Sequence, residues 1–262
     1  FVELTNLLKP AKEVRQKLMM DNVKAINSKD SLETDKTKKL LAAADAIIDN
    51  LEFIFIRLHP DSYISLVTLH QKAYPVALAN NKEKIANTAK SLSANLKQSK
   101  LYKEIEDRLE FAERLSIGKP APDFTLNDTS GHSVSLSSFR GKYVLLDFWA
   151  SWCLPCLFEM PHLTAAYKQY KDKNFEILGV SLDIPRFRQA WLNAISKNNL
   201  NWTNVSEPGG AEGPVTKLYG IYSIPMNYLI DPNGIIIATS LRGDELSRKL
   251  AAVLPDNKQQ LK

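Results

Sequence analysis

The stretch that decides the fold of this chain is YVLLDFWASWCLPC, residues 143–156. Residues 143–149 form an apolar run of the length typical of a buried β-strand. Cys153 and Cys156, the two cysteines of the chain, follow shortly after it. Only about 0.8% of random placements of two cysteines in a chain of this length would put them three residues apart. The spacing therefore indicates that the two cysteines act together.

The cysteine pair is expected at the junction between this strand and a helix over residues 155–171. Cys153 would lie at the helix N-terminus, where free N–H groups and the helix dipole favour a thiolate. Pro155 fits the first helical turn, because a proline loses no hydrogen bond there. Cys156 is expected one turn further in, facing the interior. These positions predict Cys153 as the nucleophile of thiol–disulfide exchange and Cys156 as the resolving cysteine.

Two acidic residues near the cysteines are candidates for proton transfer. Asp147 lies on an otherwise apolar strand, where a carboxylate is costly unless it has a task or a partner. Glu159 follows Cys156 by three residues and shares its helix face. Because Cys156 must lose a proton before it attacks, we expect both acids to relay protons or to tune the pKa values of the cysteines.

Other uses of a cysteine pair are open at this point. A zinc site would need further Cys or His ligands, and His132 and His162 have no suitably spaced partner. A purely structural disulfide would not explain the adjacent tryptophan or the acids. A thiol peroxidase has threonine or serine three residues before its nucleophile, where this chain has Ala150. A binding module without catalysis, which presents a groove to a partner such as an apocytochrome, is a further alternative.

The distribution of glycine divides the chain into two predicted domains. All ten glycines lie between Gly118 and Gly243, and so do all four tryptophans. A glycine-free segment has few sites for turns with positive φ and favours helices. The sequence IGKPAPDF, residues 117–124, ends the helical pattern. We predict a helical N-terminal domain over residues 1–116, either complete or the end of a larger domain, and a second domain over residues 117–262.

Hydrophobic periodicity predicts the elements of each domain. In the first domain, Asp61 would cap a helix that Pro75 disturbs. The expected helices there are residues 1–28, 33–58, 62–79, 83–97 and 99–115. In the second domain the expected strands are residues 124–126, 134–136, 143–149, 175–182, 226–230 and 235–239, and the expected helices are residues 155–171, 186–197, 214–219 and 244–254. This alternation, with a final hairpin, indicates a mixed α/β sheet.

The sequence WCLPC after VLLDFWAS resembles the active site of the thioredoxin fold. Together with APDF at residues 121–124 and EMP at residues 159–161, it is similar to the TlpA/ResA-like thiol–disulfide oxidoreductases of bacteria, over about residues 117–255. The resemblance implies a thioredoxin-like α/β fold with a central βα insertion at about residues 175–205. The all-α N-terminal domain before it resembles regions found in Bacteroidetes-type proteins.

The resemblance also implies roles for residues outside the cysteine motif. Ile224 and Pro225 would correspond to the family's cis-proline loop, whose backbone pairs with the incoming substrate. Trp152 and Pro155 would belong to the same substrate-binding surface. Pro161 would be the proline that kinks the active-site helix.

The same resemblance assigns roles to the two acids, and the sequence departs from the family pattern at two places. Asp147 would be the buried acid of thioredoxins, and Glu159 the active-site glutamate of the ResA-like branch. Some ResA-like members have an uncharged residue at the position of Asp147, so the two acids are expected to share the proton transfer. Between the cysteines this chain has Leu154-Pro155 where reducing thioredoxins have Gly-Pro. Since this dipeptide tunes the thiolate, the reduction potential is expected to differ from theirs.

The implied function is that of an enzyme, a protein-disulfide oxidoreductase with a redox-active Cys153–Cys156 disulfide and neither cofactor nor metal. Its partners would be disulfide-containing or dithiol proteins and a membrane electron donor, in the periplasm or cell envelope and in processes such as cytochrome c maturation. The net charge of +5 is spread thinly and argues against nucleic acid. Because the chain opens with Phe1, a signal or membrane anchor is expected to lie outside it.

Overall fold

The computed structural model describes residues 2–254, apart from the side chains at 75–77, 79 and 80. Its contacts divide the chain into two compact units, Phe1–Leu109 and Glu110–Lys262. The domain boundary at residues 116 and 117 stays a prediction. None of the helices in the described part of the chain combines the length and the apolarity needed to cross a membrane.

The first unit is helical, as predicted. Its elements are α1 (Val2–Asn27), α2 (Ser31–Leu58), α3 (Tyr63–Lys72), α4 (Pro75–Ser91), α5 (Ala94–Lys97) and α6 (Lys100–Arg114), the last of which continues into the second unit. Two local predictions were wrong. Ser62, not Asp61, caps α3 by accepting the Ile64 N–H at 3.2 Å. Pro75 starts a new helix instead of disturbing one, because a proline in the first turn needs no N–H partner.

The second unit contains the predicted mixed α/β sheet. Its strands are β1 (Thr125–Asp128), β2 (Ser133–Ser135), β3 (Tyr143–Trp149), β4 (Phe175–Ser181), β5 (Thr203–Ser206), β6 (Met226–Ile230) and β7 (Ile236–Thr239), in the order β2-β1-β5-β4-β3-β6-β7. Its further helices are α7 (Leu154–Tyr170), α8 (Arg188–Lys197), α9 (Pro214–Leu218) and α10 (Asp244–Val253). Strands β3, β4 and β5 are parallel, and the other pairs are antiparallel.

Strand β5 was not predicted, because its sequence TNVS has no apolar run. It nevertheless pairs on both edges, with β1 and with β4. The side-chain NH2 group of the buried Asn204 donates to the carbonyl oxygens of Leu200 and Trp202, while its side-chain oxygen has no hydrogen-bond partner among the described residues. Hydrogen bonding thus places a polar residue in the sheet interior.

The register of the central strands brings three segments to one end of the sheet. Trp149 at the end of β3 lies opposite Ser181 at the end of β4. Phe148 lies opposite Met226, the first residue of the antiparallel strand β6. The segments that follow β3 and β4 and the segment that precedes β6 therefore meet at the same end. All of β3 except Tyr143 is buried, which makes this end rigid.

Candidate active site

The two cysteines form a disulfide at the junction between β3 and α7. Cys153 is the N-cap residue of α7, and its sulfur accepts the Cys156 N–H at 3.2 Å. Pro155 lies in the first helical turn and is exposed. Both cysteines are buried, Cys156 more completely. The Cys156 N–H at this helix start is thus directed toward the Cys153 sulfur, where it stabilises negative charge.

Asp147 is a buried carboxylate in the middle of β3. It pairs in register with Gly179 on one side and with Asn227 on the other. Burial raises the pKa of Asp147 to about 7, and the charge of Glu159 acts in the same direction. The positive charge of Arg242 and a hydrogen bond with Asn227 oppose this rise. A carboxyl group with a pKa near neutrality can both take up and release a proton under physiological conditions.

Glu159 has a second partner besides its electrostatic interaction with Asp147. One of its carboxylate oxygens accepts the backbone N–H of Gly243 at 2.9 Å. Gly243 is the N-cap residue of α10, so Glu159 satisfies a free donor at that helix start. Its predicted part in proton transfer stays a prediction. Pro161 lies inside α7, as the resemblance implied.

The Ile224–Pro225 peptide bond is cis and lies directly before β6. The Pro225 carbonyl oxygen accepts a hydrogen bond from the Arg242 guanidinium, which also donates to the Leu241 carbonyl oxygen at 2.8 Å. Both Ile224 and Pro225 are half-buried. The register of β6 with β3 places this loop at the end of the sheet where the cysteine motif lies.

Sequence reasoning missed Arg242 and Asn227. Asn227 binds the backbone of Leu241 in both directions, donating to its carbonyl oxygen at 3.0 Å and accepting its N–H at 2.9 Å. It thereby fixes the segment that carries Arg242. Arg242 in turn connects the cis-proline loop with the charge on Asp147. Asn227 could have been found from the sequence, because it is a polar residue inside the otherwise apolar strand MNYLI. No local pattern indicates Arg242.

Large apolar side chains are exposed beside the buried disulfide. Trp152 is 58% exposed, Leu154 65% and Phe158 74%. Leu154 and Phe158 are four residues apart on α7 and so lie on one helix face. We call these three residues the apolar rim. Exposed aromatic and aliphatic groups beside a reactive pair are typical of a surface that binds another molecule.

No group of three His, Cys, Asp or Glu side chains in the described residues is arranged to hold a metal ion. The two cysteines are joined to each other in a disulfide at the start of a helix. Such a disulfide supports exchange with external thiols.

Comparison with known proteins gives matches over about half of the chain. The AhpC/TSA family profile matches residues 117–239. The thiol-disulfide oxidoreductase ResA of Bacillus thuringiensis is 34% identical over 142 residues, covering 54% of this chain and 79% of that protein. ResA of Bacillus subtilis is 33% identical over 125 residues, covering 48% of this chain and 67% of that protein.

Two solved structures match the same share of the chain. The thioredoxin domain of a thiol-disulfide oxidoreductase from Bacteroides vulgatus has a TM-score of 0.50 and 39% identity, covering 53% of this chain and 99% of that structure. A thiol:disulfide interchange protein from a Bacteroides species has a TM-score of 0.50 and 38% identity, covering 55% and 94%. The predicted thioredoxin-like fold is thereby confirmed.

Proposed function

Since the chain belongs to the ResA-like family of thiol–disulfide oxidoreductases, we propose that it reduces disulfides of protein partners through Cys153 and Cys156. The observation that carries this proposal is the hydrogen bond from the Cys156 N–H to the Cys153 sulfur at the start of α7. A donor in this position stabilises a thiolate on Cys153 once the disulfide is opened. Cys153 is then the nucleophile, and Cys156 resolves the mixed disulfide.

The exchange takes place in two steps. The Cys153 thiolate attacks one sulfur of the partner disulfide, so that a mixed disulfide forms and the other partner sulfur leaves as a thiolate. The Cys156 thiolate then attacks the Cys153 sulfur and releases the second partner sulfur. The partner gains two electrons and two protons, and the enzyme is left with the Cys153–Cys156 disulfide. A dithiol donor must reduce this disulfide before the next cycle.

Asp147 serves as the base for the second step. Cys156 is buried and must lose its proton before it attacks, so a buried group has to accept that proton. The pKa of Asp147, raised to about 7, is suited to this task at neutral pH. Glu159 supports the step by adding negative charge, which makes Asp147 a stronger base.

The apolar rim and the cis-proline loop form the surface for the partner polypeptide. The exposed side chains of Trp152, Leu154 and Phe158 bind apolar side chains that flank the partner cysteine. The backbone of Ile224 and Pro225 pairs with the partner strand, as the family resemblance implies. A polypeptide, and not a small thiol, makes use of both parts of this surface.

The direction of electron flow is toward the partner. Glu159 puts negative charge on α7, the helix of the cysteines, and Asp147 puts it on the preceding strand β3; both oppose the stabilisation of a thiolate by the helix start. A dithiol that is not strongly stabilised as a thiolate is the better reductant. By resemblance to the TlpA/ResA-like proteins, we place the reaction in the periplasm or cell envelope, with a membrane electron donor, no cofactor and a use such as cytochrome c maturation.

Insulin reduction in the presence of dithiothreitol tests the activity. The wild type is expected to accelerate it, Cys153→Ser to abolish the acceleration, and Cys156→Ser to accumulate a mixed disulfide with insulin on a non-reducing gel. A reduction potential near that of thioredoxin, about −270 mV, supports a reductant, and one near −120 mV contradicts it. Rapid, Cys153-dependent consumption of hydrogen peroxide would favour a thiol peroxidase instead.

A further inference from the structure

Asp183, the second residue after β4, is a buried carboxylate whose hydrogen bonds lead to the active-site loop. It is only 1% exposed. One oxygen accepts the Ser151 N–H at 2.8 Å and the Ser181 hydroxyl at 2.7 Å, and the other accepts the Ser151 hydroxyl at 2.7 Å. Among the described residues no basic side chain forms an ion pair with it. Burying a carboxylate without a cation is costly, so three donors are needed to hold it there.

Ser151 lies in the short loop between β3 and α7, two residues before Cys153. The loop has few other attachments. The Cys153 N–H donates to the Ala150 carbonyl oxygen at 3.1 Å, which is a bond within the loop itself. Trp152 is largely exposed and does not anchor it. The bonds from Ser151 to Asp183 therefore connect the loop to the end of β4.

The importance of this connection depends on the redox state. In the oxidised protein the disulfide itself holds Cys153 beside the helix start. Reduction removes that covalent link, and the Cys153 sulfur then stays under the Cys156 N–H only if the preceding loop is held in place. The three hydrogen bonds of the Asp183 carboxylate involve neither cysteine, so opening the disulfide removes none of their donors or acceptors.

We propose that Asp183 is a positioning residue for the nucleophile: by fixing Ser151, it keeps the Cys153 sulfur at the N-terminus of α7 when the disulfide is open. The proposal rests on the exchange activity described above and extends it to a residue outside the cysteine motif. Geometry, not charge, is the property it assigns to Asp183. An uncharged side chain of the same shape should therefore replace it.

Alkylation of reduced protein by iodoacetamide as a function of pH tests the proposal. For Asp183→Ala, the rate at pH 7 should fall severalfold and the midpoint of the profile should move to higher pH. For Asp183→Asn, both should stay near the wild-type values, because its oxygen can accept the Ser151 N–H while its amide donates to the Ser151 hydroxyl. The other charged groups around the motif, Asp147, Glu159 and Arg242, are unchanged in each variant.

Glu207 provides a matched control. It is also buried, and its carboxylate accepts the backbone N–H groups of Gly209 at 3.1 Å and Val215 at 2.8 Å, neither of which belongs to the cysteine loop. Glu207→Ala should lower stability without moving the alkylation midpoint. If Asp183→Ala behaves in the same way, Asp183 is only structural and the proposal is wrong.

Ser151→Ala and the use of a small alkylating reagent cover the cases in which Asp183→Ala does not fold or the proposed function is wrong. If Asp183→Ala does not fold, Ser151→Ala removes only the 2.7 Å hydroxyl bond, and an unmoved midpoint in that variant also overturns the proposal. Iodoacetamide needs no protein partner. A shifted midpoint in a protein that fails to reduce insulin would leave the role of Asp183 intact and reject the proposed function alone.

Discussion

Cys153, at the N-cap of α7, is flanked in the chain by large exposed apolar side chains, whereas Cys156, one helical turn further, is the more completely buried of the two core cysteines. On the outer side the neighbouring side chains are large, apolar and exposed. The strand that leads into the motif carries Asp147, which is buried and whose pKa is raised to about 7. The motif thus combines an exposed apolar surface with a buried titratable group.

In the proposed function, this difference separates recognition from proton transfer across a single helical turn. A partner disulfide would approach the exposed side, where apolar contact binds it without changing any protonation state. The proton of the resolving cysteine would move on the buried side, where low polarity makes a carboxyl group a stronger base. Substitutions on the two sides should therefore differ in kind: inner ones change pH dependence, and outer ones change partner selectivity.

The largest effect is expected from Asp147→Asn, which should change the free energy of unfolding. Burial raises the pKa of Asp147 from 3.8 to about 7, so between these values the folded state binds a proton that the unfolded chain has released. The wild type therefore loses stability as pH rises through this window, by up to about 1.4 kcal/mol per pH unit. Asp147→Asn removes this loss. Its gain in unfolding free energy should be small at about pH 4 and amount to a few kcal/mol above about pH 7.

Urea unfolding of the oxidised protein across this pH range measures the gain. Asp172→Asn is the control, because Asp172 is an exposed aspartate of the same unit. A gain for Asp147→Asn that is the same at every pH would show that the buried charge is not its cause.

The second-largest effect of the same substitution is expected on the rate of the resolving step. Asp147→Asn should slow the resolving step by about 100-fold at pH 7, the low end of what a general base contributes. Attack by Cys153 on the partner should change little, so mixed disulfides with insulin should accumulate in the variant. Quenched-flow separation of the two steps on non-reducing gels distinguishes them. Equal slowing of both steps would place Asp147 outside proton transfer.

On the outer side, the double variant Leu154→Gln, Phe158→Gln should lower kcat/KM for insulin by about tenfold. Loss of partly buried apolar contact accounts for an effect of this size. Turnover of cystine, which is too small to cover the apolar rim, should be unchanged. Ile117→Gln is the control, because Ile117 is as exposed as Leu154 and belongs to the same unit. Equal losses with insulin and cystine would mean that the rim acts on the chemistry and not on the partner.

The sequence was sufficient to predict the part of the site that is local in the chain. Residues 143–156 form a buried strand, a loop and a helix start in the predicted order, and this places Cys153 at the N-cap and Asp147 on β3. Each of these positions follows from periodicity or from the rules of helix ends, which act over a few residues.

The missed residues are those whose role depends on the sheet register. Asp183, Asn227 and Arg242 lie 27 or more residues from Cys156 along the chain, and only the pairing of β3 with β4 and β6 brings their segments to the cysteine motif. Strand β5 was missed for a related reason, since the hydrogen bonds of Asn204 and not an apolar pattern hold it inside. Long-range pairing of this kind leaves no periodic signal in one sequence.

The smallest effect is expected from substitution of Arg242, which interacts with both the cis-proline loop and Asp147. Arg242 donates to the carbonyl oxygen of Pro225 in the cis-proline loop, and its charge lowers the pKa of Asp147 against the effect of burial. Arg242→Gln should therefore raise that pKa further and move the pH midpoint of the resolving step upward, by up to about one unit. The rate should fall severalfold at pH 7 and recover at higher pH.

Arg242→Lys separates the two contributions of this residue. It keeps the positive charge but loses the planar fork that reaches both Pro225 and Leu241. If charge sets the pH midpoint, Arg242→Lys should retain the wild-type midpoint and lose only part of its kcat/KM with insulin. If Arg242→Lys moves the midpoint as far as Arg242→Gln does, the contact with the cis-proline loop, and not the charge, sets the pKa of Asp147. Binding of the partner and proton transfer would then not be separate at this residue.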